Sequence, residues 1–194
     1  MALPKVDLDL INEASKELEG ESDRAAAIVG ASLLENLLES IFRKAMIDHK
    51  EVKNILKPYG PLGTFKAKID LSFLLGLFPH AKIYQDLNNI REIRNYFAHG
   101  HKELSFAHNS IRNRIFSLNI LSLYRSTLEL YQEHENELDE KQKAFYEKAK
   151  GPRRMWEVAI YSISTLLSNY EGFTVKPTLE GKRKVKIAGI EADC

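Results

Sequence analysis

The stretch Leu87-Asn88-Asn89-Ile90-Arg91-Glu92-Ile93-Arg94-Asn95-Tyr96-Phe97-Ala98-His99-Gly100 decides the fold. Ile83, Leu87, Ile90, Ile93 and Phe97 recur at three- and four-residue steps, which predicts one buried face of a helix over about 82–99. Arg91, Asn95 and His99 lie four apart on the opposite face, with Asn88 close by. Arg94 projects beside Leu87 and Ile90, at the edge of the apolar sector. Gly100 predicts the helix stop, because glycine tolerates the left-handed conformation there. The stretch thus puts an arginine against a core and a histidine at a helix end, an arrangement that serves either architecture or chemistry.

Upstream, Ser22 is a good N-cap, and Asp23 suits the positive end of the dipole of a helix running to about residue 48. Its apolar stripe is Ala31, Leu34, Leu38, Ile41 and Ala45. Glu35 sits on the flank of that stripe, and Arg24 projects to the same side. A carboxylate so placed needs a cation, since an isolated buried charge is costly. The reading is a structural polar network of Arg24, Glu35 and Arg94, in which loss of Arg94 would strand Glu35. A shorter helix over 4–20 is anchored by Leu8, Ile11 and Leu18 and ended by Gly20. The Pro/Gly-rich segment 57–64 is a loop. Thr64 caps a helix over 65–78 that buries Phe65, Ile69, Phe73 and Leu77, with Leu74, until Pro79 stops it.

Downstream, Asn109 or Ser110 starts a long helix supported by Ile111, Ile115, Leu118, Leu121, Leu128 and Tyr131. It extends through a charged, solvated stretch in which Glu137–Lys141 and Asp139–Lys143 favour helix. Gly151-Pro152 breaks the chain, and a last helix over 153–170 is anchored by Trp156, Ile160, Ile163, Leu166 and Leu167. Beyond residue 172, Phe173, Val175, Val185 and Ile187 flank Glu180-Gly181 as a small hairpin. The expectation is an all-α bundle of five or six helices in one domain, 1–171, followed by a basic tail, 172–194, with a small β-hairpin.

Composition narrows the function. The net charge of +1 gives no global field toward nucleic acid or membrane. Cys194 is the single cysteine, which excludes an intrachain disulfide or a cysteine zinc site and suits a reducing compartment. The first residues lack a secretory pattern, and no apolar run approaches the ~20 residues of a membrane span, so the cytoplasm is expected and no membrane. His99 and His101 are adjacent but one, and the other histidines are scattered; no metal site and no cofactor are expected. The Gly60–Thr64 turn lacks the Gly-Lys-Ser/Thr ending of a P-loop. No helix-turn-helix is evident. Lys182, Arg183, Lys184 and Lys186 either contact phosphates or solubilise the tail.

Arg94-Asn95-Tyr96-Phe97-Ala98-His99 is similar to the Arg/His motif of the HEPN superfamily of small helical bundles. That resemblance implies a metal-independent ribonuclease or toxin, with Arg94 and His99 catalytic at a dimer cleft and Asn95 supporting. A histidine moves protons near neutrality and an arginine stabilises charge on phosphate. The architectural reading stands beside it: Arg94 pairs with Glu35, and His99 donates to the last carbonyls of its own helix.

A wider set of residues resembles the bacterial mannitol operon repressor family. It comprises Glu21-Ser22-Asp23-Arg24, the run from Gly60 to Ile69, the run from Ile90 to His99, Leu104-Ser105-Phe106 and Ile111-Arg112-Asn113-Arg114. The order and spacing agree over roughly residues 20–170. The resemblance implies an all-helical, cytoplasmic bacterial protein that controls mannitol operon transcription negatively without its own helix-turn-helix. The basic tail and the charged stretch around 133–150 depart from it. The expected function is a transcriptional regulator acting as a helical binding module through a protein partner, or through a partner plus nucleic acid. A homodimer is expected, since the HEPN-like resemblance implies pairing at this helix. The alternatives are the ribonuclease and an inactive HEPN-like interaction module.

Overall fold

The first described helix starts at Ser22, whose hydroxyl accepts the Ala25 N–H at 3.2 Å. From this cap runs α1 (Asp23–Ala45). It is followed by α2 (Glu51–Ile55), α3 (Phe65–Leu74), α4 (Ala81–His99), α5 (Asn109–Phe116), α6 (Ser122–Glu133), α7 (Glu140–Ala149) and α8 (Pro152–Glu171). Single 3-10 turns occupy Asn119–Leu121 and Glu135–Glu137. The computed structural model describes Leu18 and residues 20–78, 81–100, 104–171, 184–187 and 190–193, with side chains up to residue 169 except 135. The helix expected over 4–20 lies outside the described residues, apart from its end: Leu18 is buried.

The fold is all-α, with α1 at its centre, packed on α8, α4 and α3. Leu34, Leu38 and Ile41 of α1, Leu87, Ile90 and Ile93 of α4, and Trp156, Ile160 and Ile163 of α8 are all buried to 1% exposure or less. The Trp156 indole donates to the Ala26 carbonyl at 3.2 Å, so burying the large ring leaves its N–H satisfied. By length and composition α1 is apolar enough to cross a bilayer, contrary to the expectation that no such run exists; 56% of its apolar stretch is buried inside the bundle. Phe97, Phe106 and Trp156 form an aromatic column, with ring centroids 5.1 and 5.4 Å apart in sequence along it.

Several boundaries differ from expectation. Helix α3 ends at Leu74, well before Pro79. Gly76 takes φ +65, and the Leu77 N–H reaches the Ser72 carbonyl at 2.9 Å, a Schellman stop that acts before the proline does. The buried face of α3 is Phe65, Lys68, Ile69 and Ser72, while Phe73 and Leu74 are exposed. The long helix expected from 109 is three helices. Leu118 is extended, and Arg125 donates to the Phe116 and Leu118 carbonyls freed by the break. Asp86, fully buried on α4, accepts the backbone N–H groups of Asn119 and Ile120, each at 2.8 Å, and so fixes the 3-10 turn that follows. Asp139 begins α7 with a reciprocal capping box to Gln142. That role takes Asp139 out of a helical pair with Lys143, whose ammonium lies 3.9 Å from Glu140 instead.

Strands β1 (Lys184–Ile187) and β2 (Ile190–Asp193) pair antiparallel, with Lys184 opposite Asp193. The hairpin is therefore displaced from the expected Glu180-Gly181 centre: Val185 and Ile187 face a downstream strand. Phe173, Val175 and the segment between lie outside the described residues.

Candidate functional site

Two polar stations lie on α1 and receive the sequence-predicted residues. The first is mid-helix, where α3 and α4 cross. Lys68 Nζ, on a side chain only 5% exposed, lies 3.1 Å from Glu35 Oε1 and 3.0 Å from Glu39 Oε2. Arg94 Nη2 lies 3.8 Å from the other Glu35 oxygen, and Arg43 binds Glu39 at 2.6 Å. Burial alone would raise the Glu39 carboxyl, but hydrogen bonds from Arg43 and Lys68 outweigh it and hold the group below its usual value. Glu35 thus has a cationic partner as its position requires, but the close partner is Lys68, and Arg94 contributes from a longer distance.

The second station is at the N-terminus of α1. Arg24 donates to the carbonyls of Ala98 at 3.1 Å and Gly100 at 3.3 Å. A guanidinium there satisfies orphan carbonyls and meets the negative end of the α4 dipole. Arg24 is therefore not in the Glu35 network. Glu35 lies eleven positions further along the helix, about 16 Å at the α-helical rise. Asp23 accepts the Phe106 N–H at 2.8 Å and pairs with Arg153 at 3.0 Å; Arg153 also donates to the carbonyls of Leu18 and Glu21. This station gathers the chain segments around residues 22, 98, 106 and 153 at one end of the bundle.

The capping role expected of His99 thus falls to Arg24. His99 is exposed at the end of α4 and makes no side-chain hydrogen bond among the described residues. Gly100 does not take a left-handed φ; it is small because a Cβ would lie 2.5 Å from Leu104 Cδ1 and 2.8 Å from the Tyr96 carbonyl. Asn95 is half-buried. At 3.6 residues per turn, Arg94 and His99 leave the helix about 140° apart, so one protomer does not aim both at a single phosphate. Lys182 and Arg183 lie outside the described residues, and Lys184 and Lys186 are placed only as backbone of β1. Among the described residues no group of three His, Cys, Asp or Glu is arranged to hold a metal ion.

Sequence reading missed Lys68, Asp86 and Arg153. Lys68 is legible in the sequence: Phe65, Lys68, Ile69 and Ser72 follow i, i+3, i+4, i+7, a better helical face than the steps of four through Phe65, Ile69, Phe73 and Leu77. Asp86 and Arg153 act on backbone groups far along the chain, and no local pattern marks such partners.

The molecule is an all-α bundle centred on α1, with charged residues bracing helix crossings and helix ends. The chain belongs to the mannitol repressor (MtlR) family, whose profile matches residues 24–166. That span contains the mid-helix station whole, and the second station apart from Leu18, Glu21, Ser22 and Asp23. Its fold is similar to that of a protein solved as "X-ray structure of the MtlR-HPr complex from Escherichia coli". The TM-score is 0.58 at 19% identity, over 84% of this chain and 99% of the other. Comparison with curated proteins gives no match.

Proposed function

We propose that this chain is a transcriptional regulator that works by docking a partner protein on its helical surface, without a DNA-reading element of its own. The observation that carries the reading is membership of the mannitol repressor family across most of the bundle. It is supported by the similar fold of a protein solved in complex with HPr, which makes HPr the first partner to test. Both polar stations are tied up in bracing helices, which suits a rigid docking scaffold better than an active centre. The protein works as a homodimer in the cytoplasm under this reading, and the basic residues Lys182, Arg183, Lys184 and Lys186 add salt-dependent contact to nucleic acid.

The test is calorimetric titration of HPr from the source organism into the full chain, with sedimentation to give the mass of the free protein and of the complex. Saturable heat and co-sedimentation are expected; their absence at high micromolar concentrations rejects HPr as the partner. A dimer mass that persists on dilution to low micromolar supports pairing, and a monomer mass rejects it.

One observation favours a second reading. His99 is exposed and uncommitted among the described residues, as a proton-transfer group of a HEPN-like ribonuclease must be. In that reading a second protomer supplies the Arg94 that faces it. RNA cleavage by the purified chain that disappears in His99→Ala, with the fold retained, supports it; no cleavage by the unaltered chain excludes it.

A further inference from the structure

The run Ile111-Arg112-Asn113-Arg114 leaves Arg112 and Asn113 exposed. Ile111 is buried in the core. Arg114 lies over the Tyr96 ring at 5.7 Å and donates to Asn89 at 3.4 Å. Arg112 is exposed and lines a cleft of about 590 Å³ between α5, α6, α7 and α8. Among the described residues its one close partner is the Phe116 ring, 5.2 Å from its guanidinium carbon.

The cleft has an apolar floor of Phe116, Leu128, Tyr146 and Met155. Its charged wall is unbalanced. Arg125, from α6, lines the same cleft and donates to the Phe116 carbonyl at 3.0 Å and the Leu118 carbonyl at 2.8 Å. Two guanidinium groups therefore converge on Phe116, one at its ring and one at its backbone. Neutral carbonyls and an aromatic face steady these groups without cancelling their charge. Among the described residues, neither Arg112 nor Arg125 has a carboxylate within 4.0 Å, whereas Lys150 on the opposite wall is paired with Glu147. Glu129 is the remaining acid of the lining. The lining thus carries three cations against two acids, with Arg112 and Arg125 beside Phe116 and the Lys150 ammonium 4.9 Å from the centre of the Tyr146 ring.

From this we infer that the cleft is a binding site for a small amphipathic organic anion. Its carboxylate or phosphate would meet Arg112 beside Phe116, and its apolar or aromatic body would lie over Leu128, Tyr146 and Met155. The volume falls within the ~300–1,000 Å³ usual for small-molecule sites, and a guanidinium fork matches either oxyanion. An anion without an apolar body forgoes the floor, and an apolar molecule without the anion leaves the Arg112 guanidinium unanswered. The inference concerns a small-molecule site and stands whether or not HPr proves to be the protein partner.

The probe is 8-anilinonaphthalene-1-sulfonate, which joins one anionic group to an aromatic body, titrated into the folded full chain and followed by fluorescence. Saturable binding is expected, weakened about tenfold by Arg112→Gln, as loss of one charge-assisted contact implies. Gln132→Trp, on the α6 wall, should block the cleft and remove binding. Uncharged 1-anilinonaphthalene should bind about tenfold more weakly and be indifferent to Arg112→Gln. Arg112 is exposed, so melting by circular dichroism should match the unaltered chain. No saturable binding, equal affinity in both variants, or equal affinity for the uncharged probe overturns the site; displacement by inorganic phosphate at matching concentrations overturns the apolar half of it.

Discussion

The two polar stations on α1 are built differently. At mid-helix, charge meets charge: Lys68 holds Glu35 and Glu39, with Arg94 and Arg43 outside them. At the N-terminus, charge meets backbone as well as charge: Arg24 takes two carbonyls of the α4 end, and Asp23 takes the Phe106 N–H beside its pair with Arg153. The first station offsets the cost of placing carboxylates where α1 must pack. The second uses side chains to finish helices and turns that cannot satisfy themselves. Their failures should differ accordingly: removing the buried cation of the first strands anions, whereas removing members of the second leaves backbone groups that water partly rescues.

Lys68→Met should therefore have the largest effect. It leaves two carboxylates at a helix crossing without their shared cation, and a loss of about 3 kcal/mol in denaturant unfolding is expected. Lys68→Met combined with Glu35→Gln and Glu39→Gln should recover part of that loss; no recovery would mean that packing of the lysine stem, not charge, sets the effect. Asp23→Ala comes next, at about 2 kcal/mol, since it removes both the Phe106 N–H acceptor and the Arg153 partner. If it costs as much as Lys68→Met, the contrast between the stations fails.

Arg94→Ala should cost less than about 1 kcal/mol, because its contact with Glu35 is long and partly solvated. A cost near that of Lys68→Met would restore Arg94 as the principal partner of Glu35. The smallest effect is in the pH profile. The Glu39 carboxyl is depressed in the folded state from its ordinary 4.5, so the unfolded chain binds its proton first as pH falls. Its stabilisation is complete above 4.5 and is lost as pH falls through the lower folded value. Glu39→Gln should flatten the acid limb of stability in that window and leave its shape above pH 6 unchanged.

The parts of this design that sequence reveals are those governed by neighbours along the chain. Ser22 and Thr64 cap helices as their positions suggest, and α4 and α8 follow from apolar spacing and the Gly151-Pro152 break. Glu35 was recognisable as a carboxylate in want of a cation. Its choice of partner was not, because Lys68 arrives from α3 across a crossing that only tertiary packing sets. The break of the expected 109–150 helix was legible in part: Asp139 and Gln142 have capping-box spacing, yet Glu/Lys spacing over the same residues favours continuing the helix. The stop at Phe116 was hidden, since it depends on buried Asp86 reaching the following turn. Among the site residues, Arg24 projects to the side of α1 that bears Glu35, yet its partners are the carbonyls of Ala98 and Gly100, which only the tertiary packing of α4 brings to it.

The position of α8 also bears on how the chain is made. Trp156 closes over the first turn of α1 through a hydrogen bond that spans 130 residues of sequence. Translation at roughly 5–20 residues per second delivers α1 several seconds or more before its apolar face can be covered by α8. During that interval a 23-residue helix with an apolar face waits with its main partner still unsynthesised. The nascent chain is therefore most open to aggregation, and to capture by chaperones that recognise apolar helices, until the ribosome has released the segment around Trp156 and Ile163.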